Sequence, residues 1–276
     1  MTRDLSVVTW DSSFRESLHW FDAMHAQTWA PNSQFIWVDF YAVDARVQER
    51  CRERPNFQAL SLAQPSHVNW HLGRSMNHGV AASDAPWLLL TDGDIYVDDD
   101  FIERVFAEEP RRNEVVYFRR YDELEQPACD APPNMQTLPS RCVLSNPTNF
   151  GACLLIHRSL FEAVGGYEEH ETFAGAGIIS MELNVRLRNA GAAIRWSSIP
   201  TYHPWHANTG APHDPDLQTR LQSLATRYGW LLPYAGVAQS WVVHCRAIEV
   251  DARASQSKCD DYLAALPEEL KVENSV

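Results

Sequence analysis

Residues 87–94, Trp87-Leu88-Leu89-Leu90-Thr91-Asp92-Gly93-Asp94, carry an apolar run that ends in two carboxylates separated by a glycine. Successive side chains of a strand point to opposite faces, so a turn is needed to bring both carboxylates to one ligand, and Gly93 gives the backbone the freedom for it. Mg²⁺ and Mn²⁺ prefer carboxylate and phosphate oxygens. The segment therefore predicts a buried strand followed by a site for a metal and a diphosphate. Taken alone, it also fits a polar loop whose aspartates cap a helix beginning near Asp99 or Asp100.

The sequence before this strand alternates short apolar runs with helical patterns. The predicted strands are Leu5–Trp10, Phe35–Tyr41, Phe57–Leu62 and Trp87–Thr91. The predicted helices are one with Phe14, Leu18, Phe21 and His25 on a single face and a capping box from Ser13 to Glu16, and one over Trp70–Ser83. Such alternation predicts βαβ units and a mostly parallel sheet, which binds ligands at the carboxyl ends of its strands. We therefore expect Asp39, after the second strand, and Asp92, after the fourth, at one crevice.

The second half of the sequence is patterned differently. It contains two further predicted strands separated by a long loop, then a helix ended by Gly191, a last strand, and a polar helical region from Ala207 onward. The ranges are Glu114–Tyr121 and Phe150–Arg158 for the strands, Gln126–Asn149 for the loop, Met181–Ala190 for the helix and Ala193–His203 for the last strand. A loop of this length inside a compact domain is usually functional.

Composition excludes several classes of protein. The 276 residues are 45% hydrophobic and carry a formal net charge of −13, so a folded core is expected and nucleic acid is not an expected partner. No apolar run approaches the ~18–20 residues that cross a bilayer, and the amino terminus has no signal-peptide pattern. The six cysteines show no metal or disulfide spacing, which favours free thiols. We therefore expect a cytoplasmic protein.

Several segments, in order and spacing, resemble family 2 glycosyltransferases and their GT-A relatives over residues 5–206. They are Ile36-Trp37-Val38-Asp39, Gly73–Ala81, Asp92-Gly93-Asp94, Asn149–Cys153 and Phe161–Glu169. The resemblance implies a GT-A fold, a Rossmann-like, mostly parallel central sheet flanked by helices. Residues 1–98 would form the nucleotide-sugar-binding half, 99–206 the acceptor-binding half of the same domain, and 207–276 a helical extension and tail.

The resemblance also implies a function, the transfer of a hexose from a UDP- or GDP-sugar to a soluble, hydroxyl-bearing acceptor with Mn²⁺ or Mg²⁺ as cofactor. The implied donor-binding residues are Thr9, Asp11, Asp39, Arg74, Asn77, Asp92 and Gly93. The implied metal ligands are Asp94 and His203, the latter from the segment Tyr202-His203-Pro204-Trp205-His206. The implied acceptor-binding residues are Trp205, His206 and Glu169. Trp10, Trp37, Trp70 and Trp205 are candidates for stacking on a sugar, although buried packing is the commoner role of tryptophan.

One element of the family pattern is missing. Aligned on the helix Leu183–Arg188, the acidic pair that supplies the general base of inverting members falls on Ile179 and Ser180. Three interpretations remain: Glu182 acts as the base, the enzyme retains the anomeric configuration and needs no such base, or the protein is a degenerate member without activity. The second interpretation rests on a resemblance: polypeptide N-acetylgalactosaminyltransferases, which are retaining enzymes, have a similar glycine-rich segment with a Glu at the place of Glu182. Glu182 also fits a surface ion pair with Arg186, worth only about 0.3–0.5 kcal/mol.

Two competing functions follow from the same residues. The loss of the acidic pair at Ile179 and Ser180 fits a non-catalytic protein that binds nucleotide-sugars on this fold. A nucleotidyltransferase also uses a metal-binding α/β sheet, but it needs a glycine-rich basic loop after its first strand. The segment Thr9–Phe14 contains no glycine, which argues against it.

Overall fold

The computed structural model describes residues 4–12, 17–28, 32–127, 133–169, 173–175 and 179–206. Its strands are β1 Leu5–Asp11, β2 Ser33–Asp39, β3 Phe57–Ser61, β4 Trp87–Asp92, β5 Glu114–Glu123, β6 Cys142–Val143, β7 Cys153–His157 and β8 Ala193–His203. Its helices are α1 His19–His25, α2 Ala45–Arg52, α3 Leu72–Ala81, α4 Phe101–Ala107, α5 Leu138–Arg141, α6 Arg158–Ala163 and α7 Ile179–Asn189. The extension predicted over 207–276 lies outside the described residues.

All eight strands belong to one sheet, in the order β3-β2-β1-β4-β7-β5-β6, with β8 paired to β5. The strands β1 to β4 pair in parallel, as the βαβ pattern predicts, and β8 is parallel to β5. However, β7 is antiparallel to both β4 and β5, and β6 is antiparallel to β5, so the mostly parallel sheet also contains antiparallel pairings. Between β5 and β7 the described residues contain only the four-residue helix α5 and the two-residue strand β6, so this connection differs from the helical crossovers that precede β4.

Two hydrophobic layers cover the sheet, and strand alternation assigns side chains to each. In β4, Leu88 and Leu90 pack into one layer and Leu89 into the other. The first layer is closed by α3, α6 and α7, and the second by α1, α2 and α4. Because both faces are covered, β1 and β2 are buried along their whole length. This explains why they read as continuous apolar runs in the sequence.

Both helices predicted in the first half of the chain are present, as α1 and α3, with bounds that differ by a few residues from the predicted ones. The first helix begins at His19 with Leu18 at its N-cap; Phe14 and the predicted capping box, at residues 13–16, lie outside the described residues. The predicted helix over Trp70–Ser83 is present as α3, whose cap is His71. Gly79 of α3 lies so close to the sheet that a Cβ there would be 2.4 Å from Val8, and this close approach requires glycine.

Three short helices and one strand were missed by the sequence prediction. Helices α2 and α6 have 8 and 6 residues, too few turns for a clear periodicity. The long loop predicted over 126–149 contains α5 and β6. Helix α4 follows Asp100 as expected, but no side chain caps it, so Asp92 and Asp94 are not its caps.

Two further predictions can be compared with the described residues. Cys51, Cys142 and Cys153 are free thiols, and the other three cysteines lie outside the described ranges. Among the helices that the structure describes, none has the length and apolar character needed to cross a membrane.

Candidate metal and donor site

Three carboxylates reach the same edge of the sheet because of the strand register. Asp11 ends β1 directly opposite Asp39 of β2, and Asp92 ends β4 opposite Trp10 of β1. After Asp92 the chain turns at Gly93, as predicted, although the φ angle of Gly93 is not in the left-handed region. The crevice expected beyond the carboxyl ends of the strands is therefore lined by acidic side chains.

Asp11 and Asp39 form a close acidic pair with little access to solvent, 6% and 1% exposed. The Trp37 indole donates a hydrogen bond to Asp39 at 3.2 Å. Burial, followed by the neighbouring charge of Asp11, raises the pKa of Asp39 to about 7, against the lowering effect of the Trp37 hydrogen bond. Two carboxyl groups in this arrangement suit a ligand that donates hydrogen bonds, such as a nucleobase or a ribose.

Asp94 meets two histidines from the end of β8. The Oδ2 atom of Asp94 lies 3.5 Å from Nε2 of His203 and 3.6 Å from Nε2 of His206, and the two nitrogens are 3.1 Å apart. We call these three residues the metal triangle; they are the cluster with metal-ligand spacing among the described residues. The backbone of Tyr96 pairs with Tyr202 through two hydrogen bonds, 2.7 and 2.9 Å, and this bridge brings the turn after β4 to the end of β8.

The dimensions of the metal triangle suit a divalent cation. With bonds of about 2.1 Å and angles near 90°, neighbouring ligand atoms of a six-coordinate ion are about 3.0 Å apart, close to the distances here. Burial lowers the pKa of His203, but hydrogen bonds with Asp122 and Asp94 outweigh it and raise the pKa to about 9. His206, predicted to bind the acceptor, thus lies in the metal triangle beside the two predicted metal ligands.

Strand β5 contributes two residues that the sequence analysis missed. Arg120 contacts Asp92 at 3.5 Å and Asp122 at 2.8 Å, so it bridges two carboxylates of the site. Asp122 also lies 3.3 Å from Nδ1 of His203 and accepts a hydrogen bond from Ser145. The sequence signal that could have identified them is their spacing. Arg120 and Asp122 are two residues apart near the end of a strand, and alternate residues of a strand share one face.

Thr9, predicted to bind the donor, instead holds two strands together. Its side chain is fully buried and donates to the carbonyl of Thr91 at 2.9 Å. The Thr91 hydroxyl in turn accepts from the indole of Trp20 at 3.1 Å. Thr9 therefore lies inside the sheet, two residues before the strand end at which Asp11 pairs with Asp39.

The predicted stacking tryptophans differ in position. Trp10 and Trp70 pack against each other with ring centroids 5.1 Å apart, and Trp37 lies in the second core layer. All three are buried, with at most 8% exposure, which leaves no ring face for a sugar. Trp205 is only partly buried, and its backbone N–H donates to Glu123 at 3.0 Å.

Arg74 and Asn77 of α3 contact the turn after α6 rather than the carboxylates of the crevice. The Asn77 amide donates to the carbonyl of Tyr167 and to the carboxylate of Glu169, both at 2.8 Å, and accepts from the N–H of Tyr167 at 2.9 Å. Arg74 donates to the carbonyl of Glu169 at 3.3 Å. The Asn77 amide is thus engaged by the turn in this structure, and donor binding by Arg74 and Asn77 stays a prediction.

Glu182 is not at the surface, and its surroundings do not suit a general base. Glu182 and Arg186 are each 1% exposed and form a two-bond ion pair inside the domain. Arg186 also donates to the carbonyls of Val164 and Gly166. The pair thus holds the turn in which Gly165 and Gly166 have positive φ angles of 79° and 67°. We call it the buried ion pair; it replaces both predicted roles, catalytic base and exposed helix pair.

Ser180, at the position of the missing acidic residue, lies next to Gly151. A Cβ at Gly151 would be 3.0 Å from the Ser180 hydroxyl, so this part of α7 packs closely against the segment before β7. Ile179 and Ser180 are both buried, at 0% and 4% exposure. Neither supplies a titratable group to the site.

Comparison with known proteins gives a family match over part of the chain. Residues 65–165 match glycosyl transferase family 2. No curated protein matches the sequence significantly. The similarity to polypeptide N-acetylgalactosaminyltransferases stays a prediction.

Similar solved structures cover nearly the whole chain. Residues 1–349 of TarS from S. aureus, in complex with UDP-GlcNAc, align over 97% of this chain and 82% of that one, with 13% identity and a TM-score of 0.61. A longer TarS structure aligns with a TM-score of 0.56 and 13% identity over 97% of this chain, which spans only 50% of that one. The mannosyltransferase PcManGT from Pyrobaculum calidifontis, in complex with GDP-Man and Mn²⁺, aligns over 96% and 74% with 11% identity and a TM-score of 0.50.

Identities this low establish the fold alone, and the family match covers the segment from the approach to α3 through α6. That segment contains β4 with Asp92 and Asp94, together with Arg120 and Asp122. The chain therefore has the GT-A glycosyltransferase fold, and its residues 65–165 match glycosyl transferase family 2.

Proposed function

We propose that this protein is a metal-dependent glycosyltransferase that moves a hexose from a nucleotide-sugar to a hydroxyl-bearing acceptor. The observation that carries the proposal is the metal triangle at the carboxyl edge of a GT-A sheet, with Asp94, His203 and His206 within 3.6 Å of one another. The family match over residues 65–165 supports it independently. The predicted cytoplasmic location stays a prediction.

The donor is proposed to lie between the acidic pair and the metal triangle. Asp11 and Asp39 would bond the base or ribose, and Asp92 the ribose or the metal. The structures with UDP-GlcNAc and with GDP-Man support a UDP- or GDP-sugar as the donor class. Arg120, which contacts Asp92 at 3.5 Å, supplies a fixed positive charge beside the expected diphosphate.

The metal triangle would hold the cation, and the two imidazoles favour a first-row transition ion over Mg²⁺. We therefore propose Mn²⁺, the ion bound in the PcManGT complex. When bound, it would offset the negative charge that develops on the leaving diphosphate. The protein's own contribution is to hold the three ligands in place through the bridge between Tyr96 and Tyr202.

On the acceptor side, the burial of Glu182 and its pairing with Arg186 argue against Glu182 as the general base. A retaining reaction needs no such base, whereas an inverting one would have to use another carboxylate, such as the exposed Glu169 held by Asn77. Trp205, on the loop between the two metal-triangle histidines, remains the proposed aromatic contact for the acceptor. NMR of the first-formed anomer distinguishes the two stereochemical courses.

A second candidate function is a nucleotide-sugar-binding protein without catalysis. It is favoured by one observation: Ile179 and Ser180 are buried and Glu182 is paired to Arg186, so α7 offers no free carboxylate near its start. Both functions predict donor binding, and only the first predicts turnover.

The test is to incubate the purified chain with UDP- and GDP-sugars and to measure nucleotide release and thermal stability together. The proposed function predicts release that requires Mn²⁺, is weaker with Mg²⁺, and stops reversibly in EDTA. A Mn²⁺-dependent rise in melting temperature with no release would favour the binding protein, because a ligand of the native state stabilises it without reaction. Release that is unchanged in EDTA would contradict the metal-dependent mechanism.

A further inference from the structure

Asp122 lies on the side of His203 that faces away from the metal triangle. We propose that Asp122 is a positioning residue that orients His203, so that Nε2 of the imidazole is the atom presented to the metal. This inference rests on the proposed metal-dependent function and adds to it a residue outside the three ligands. It gives the carboxylate of Asp122 a task distinct from those of Asp92 and Asp94.

The two ring nitrogens of His203 face different partners. The Nδ1 atom lies 3.3 Å from Oδ1 of Asp122, while Nε2 lies 3.5 Å from Oδ2 of Asp94 and 3.1 Å from Nε2 of His206. A carboxylate beside Nδ1 keeps the proton on that nitrogen and leaves the lone pair of Nε2 for a metal ion. The same contact fixes the rotation of the ring.

Asp122 is itself held in place, as a positioning residue must be. It lies opposite His203 in the parallel pairing of β5 with β8, so the two side chains share one face of the sheet. Arg120 contacts its carboxylate at 2.8 Å, and Ser145 donates a hydrogen bond to it. The residue is only 7% exposed, which limits competition from water.

A direct role of Asp122 as a metal ligand fits the geometry less well. The atoms within metal-ligand spacing of one another in the described part of the chain belong to Asp94, His203 and His206. Asp122 contacts the opposite edge of the His203 ring. The carboxylate therefore acts through the histidine, in the way that outer carboxylates orient histidine ligands in other metal sites.

The first experiment measures Mn²⁺ affinity by electron paramagnetic resonance at 20 °C for the wild-type chain and for Asp122→Asn. We expect the variant to bind Mn²⁺ about 10–100-fold more weakly. The matched control is Asp98→Asn, which removes the same charge from a carboxylate that is also paired with an arginine, Arg104 at 3.2 Å, and that does not belong to the metal triangle. The control is expected to bind Mn²⁺ as the wild-type chain does.

The second experiment needs no variant, so it applies even if Asp122→Asn does not fold. In the wild-type chain loaded with Zn²⁺ as a diamagnetic probe, ¹⁵N chemical shifts of the histidines identify the metal-bound nitrogen. We expect Zn²⁺ on Nε2 of His203 and a proton on Nδ1; Zn²⁺ on Nδ1 would overturn the inference.

The outcomes separate this inference from the function on which it rests. A folded Asp122→Asn protein that binds Mn²⁺ as tightly as the wild-type chain would overturn the positioning role and leave the metal site in place. A wild-type chain that binds neither Mn²⁺ nor Zn²⁺ would overturn the metal site and the positioning role together. A loss of thermal stability without a change in Mn²⁺ affinity would assign Asp122 a purely structural role.

Discussion

The metal triangle and the buried ion pair are built from similar residue types but have opposite surroundings. The side chains of Asp94 and His203 are 13% and 18% exposed, and their polar atoms converge on one another at the edge of the sheet. Glu182 and Arg186 are 1% exposed, and their remaining bonds go to backbone carbonyls of a neighbouring turn. In the metal triangle, the polar atoms leave a place where a ligand can bind. In the buried ion pair, the polar atoms bond to each other and to backbone carbonyls. Convergence on a common point, rather than charge alone, distinguishes a site from a structural support.

The largest expected effect tests the metal triangle. Asp94→Ala removes its only carboxylate, so we expect donor turnover and Mn²⁺ binding to fall below detection while the melting temperature of the metal-free protein changes little. Turnover is measured as nucleotide release, with the exposed Asp99→Ala as the control. Normal turnover in a folded Asp94→Ala protein would remove the metal triangle from the mechanism.

The next effect tests the buried ion pair. Glu182→Gln leaves the Arg186 charge buried without its partner, and we expect the free energy of unfolding to fall by about 3–5 kcal/mol, with Mn²⁺ affinity unchanged. Urea denaturation measures the loss. The matched control is Glu162→Gln, in an exposed pair of the same i,i+4 spacing with Arg158, where the expected loss is about 0–1 kcal/mol. A large fall in kcat with unchanged stability would instead return Glu182 to the catalytic role.

A smaller effect separates the two possible roles of His206. If it is a metal ligand, His206→Ala should weaken Mn²⁺ binding by at least about tenfold, since even residues that only support a ligand have effects of this size. Titration with Mn²⁺ measures the affinity, and the exposed His78→Ala on α3 is the control. A variant with normal Mn²⁺ affinity but a raised KM for the acceptor would support the role first predicted from the sequence.

The last test concerns the acidic pair, which shares the crevice with the metal triangle but is buried like the ion pair. The pKa of Asp39 is raised from 3.8 to about 7 in the folded protein. Between these values the unfolded chain has lost the proton that the folded chain keeps, so stability falls as pH rises and levels off above about pH 7. The decline is at most about 1.4 kcal/mol per pH unit.

Asp39→Asn removes this proton uptake, so the variant should lose less stability than the wild-type chain between pH 5 and pH 8. Urea denaturation at the two pH values provides the comparison, with Asp99→Asn as the control. Identical pH dependence of the variant and the wild-type chain would show that Asp39 ionises normally. The same variant should weaken donor binding by about 1–3 kcal/mol if Asp39 bonds the base or ribose.

Local sequence was a good guide where the sheet is parallel and buried on both faces. The apolar runs of β1 to β4 and the periodicity of α3 placed those elements within a few residues of their observed bounds. Local sequence did not predict α2 and α6, because helices of so few turns show no clear periodicity. The direction of β7 was also not predicted, because an apolar run marks a strand but not the strands with which it pairs.

The sequence by itself determined that Asp39, Asp92 and Asp94 lie at strand ends, because parallel strands connected by helices end at the same edge. Only the tertiary structure decided which residues join them. Asp122 and His203 meet through the pairing of β5 with β8, and Asp94 meets His206 through the bridge between Tyr96 and Tyr202. The same holds for the burial of Glu182, which the surface pattern of a helix did not predict. The physical reason is separation along the chain: side chains about a hundred residues apart become neighbours only when strand register and packing bring them together.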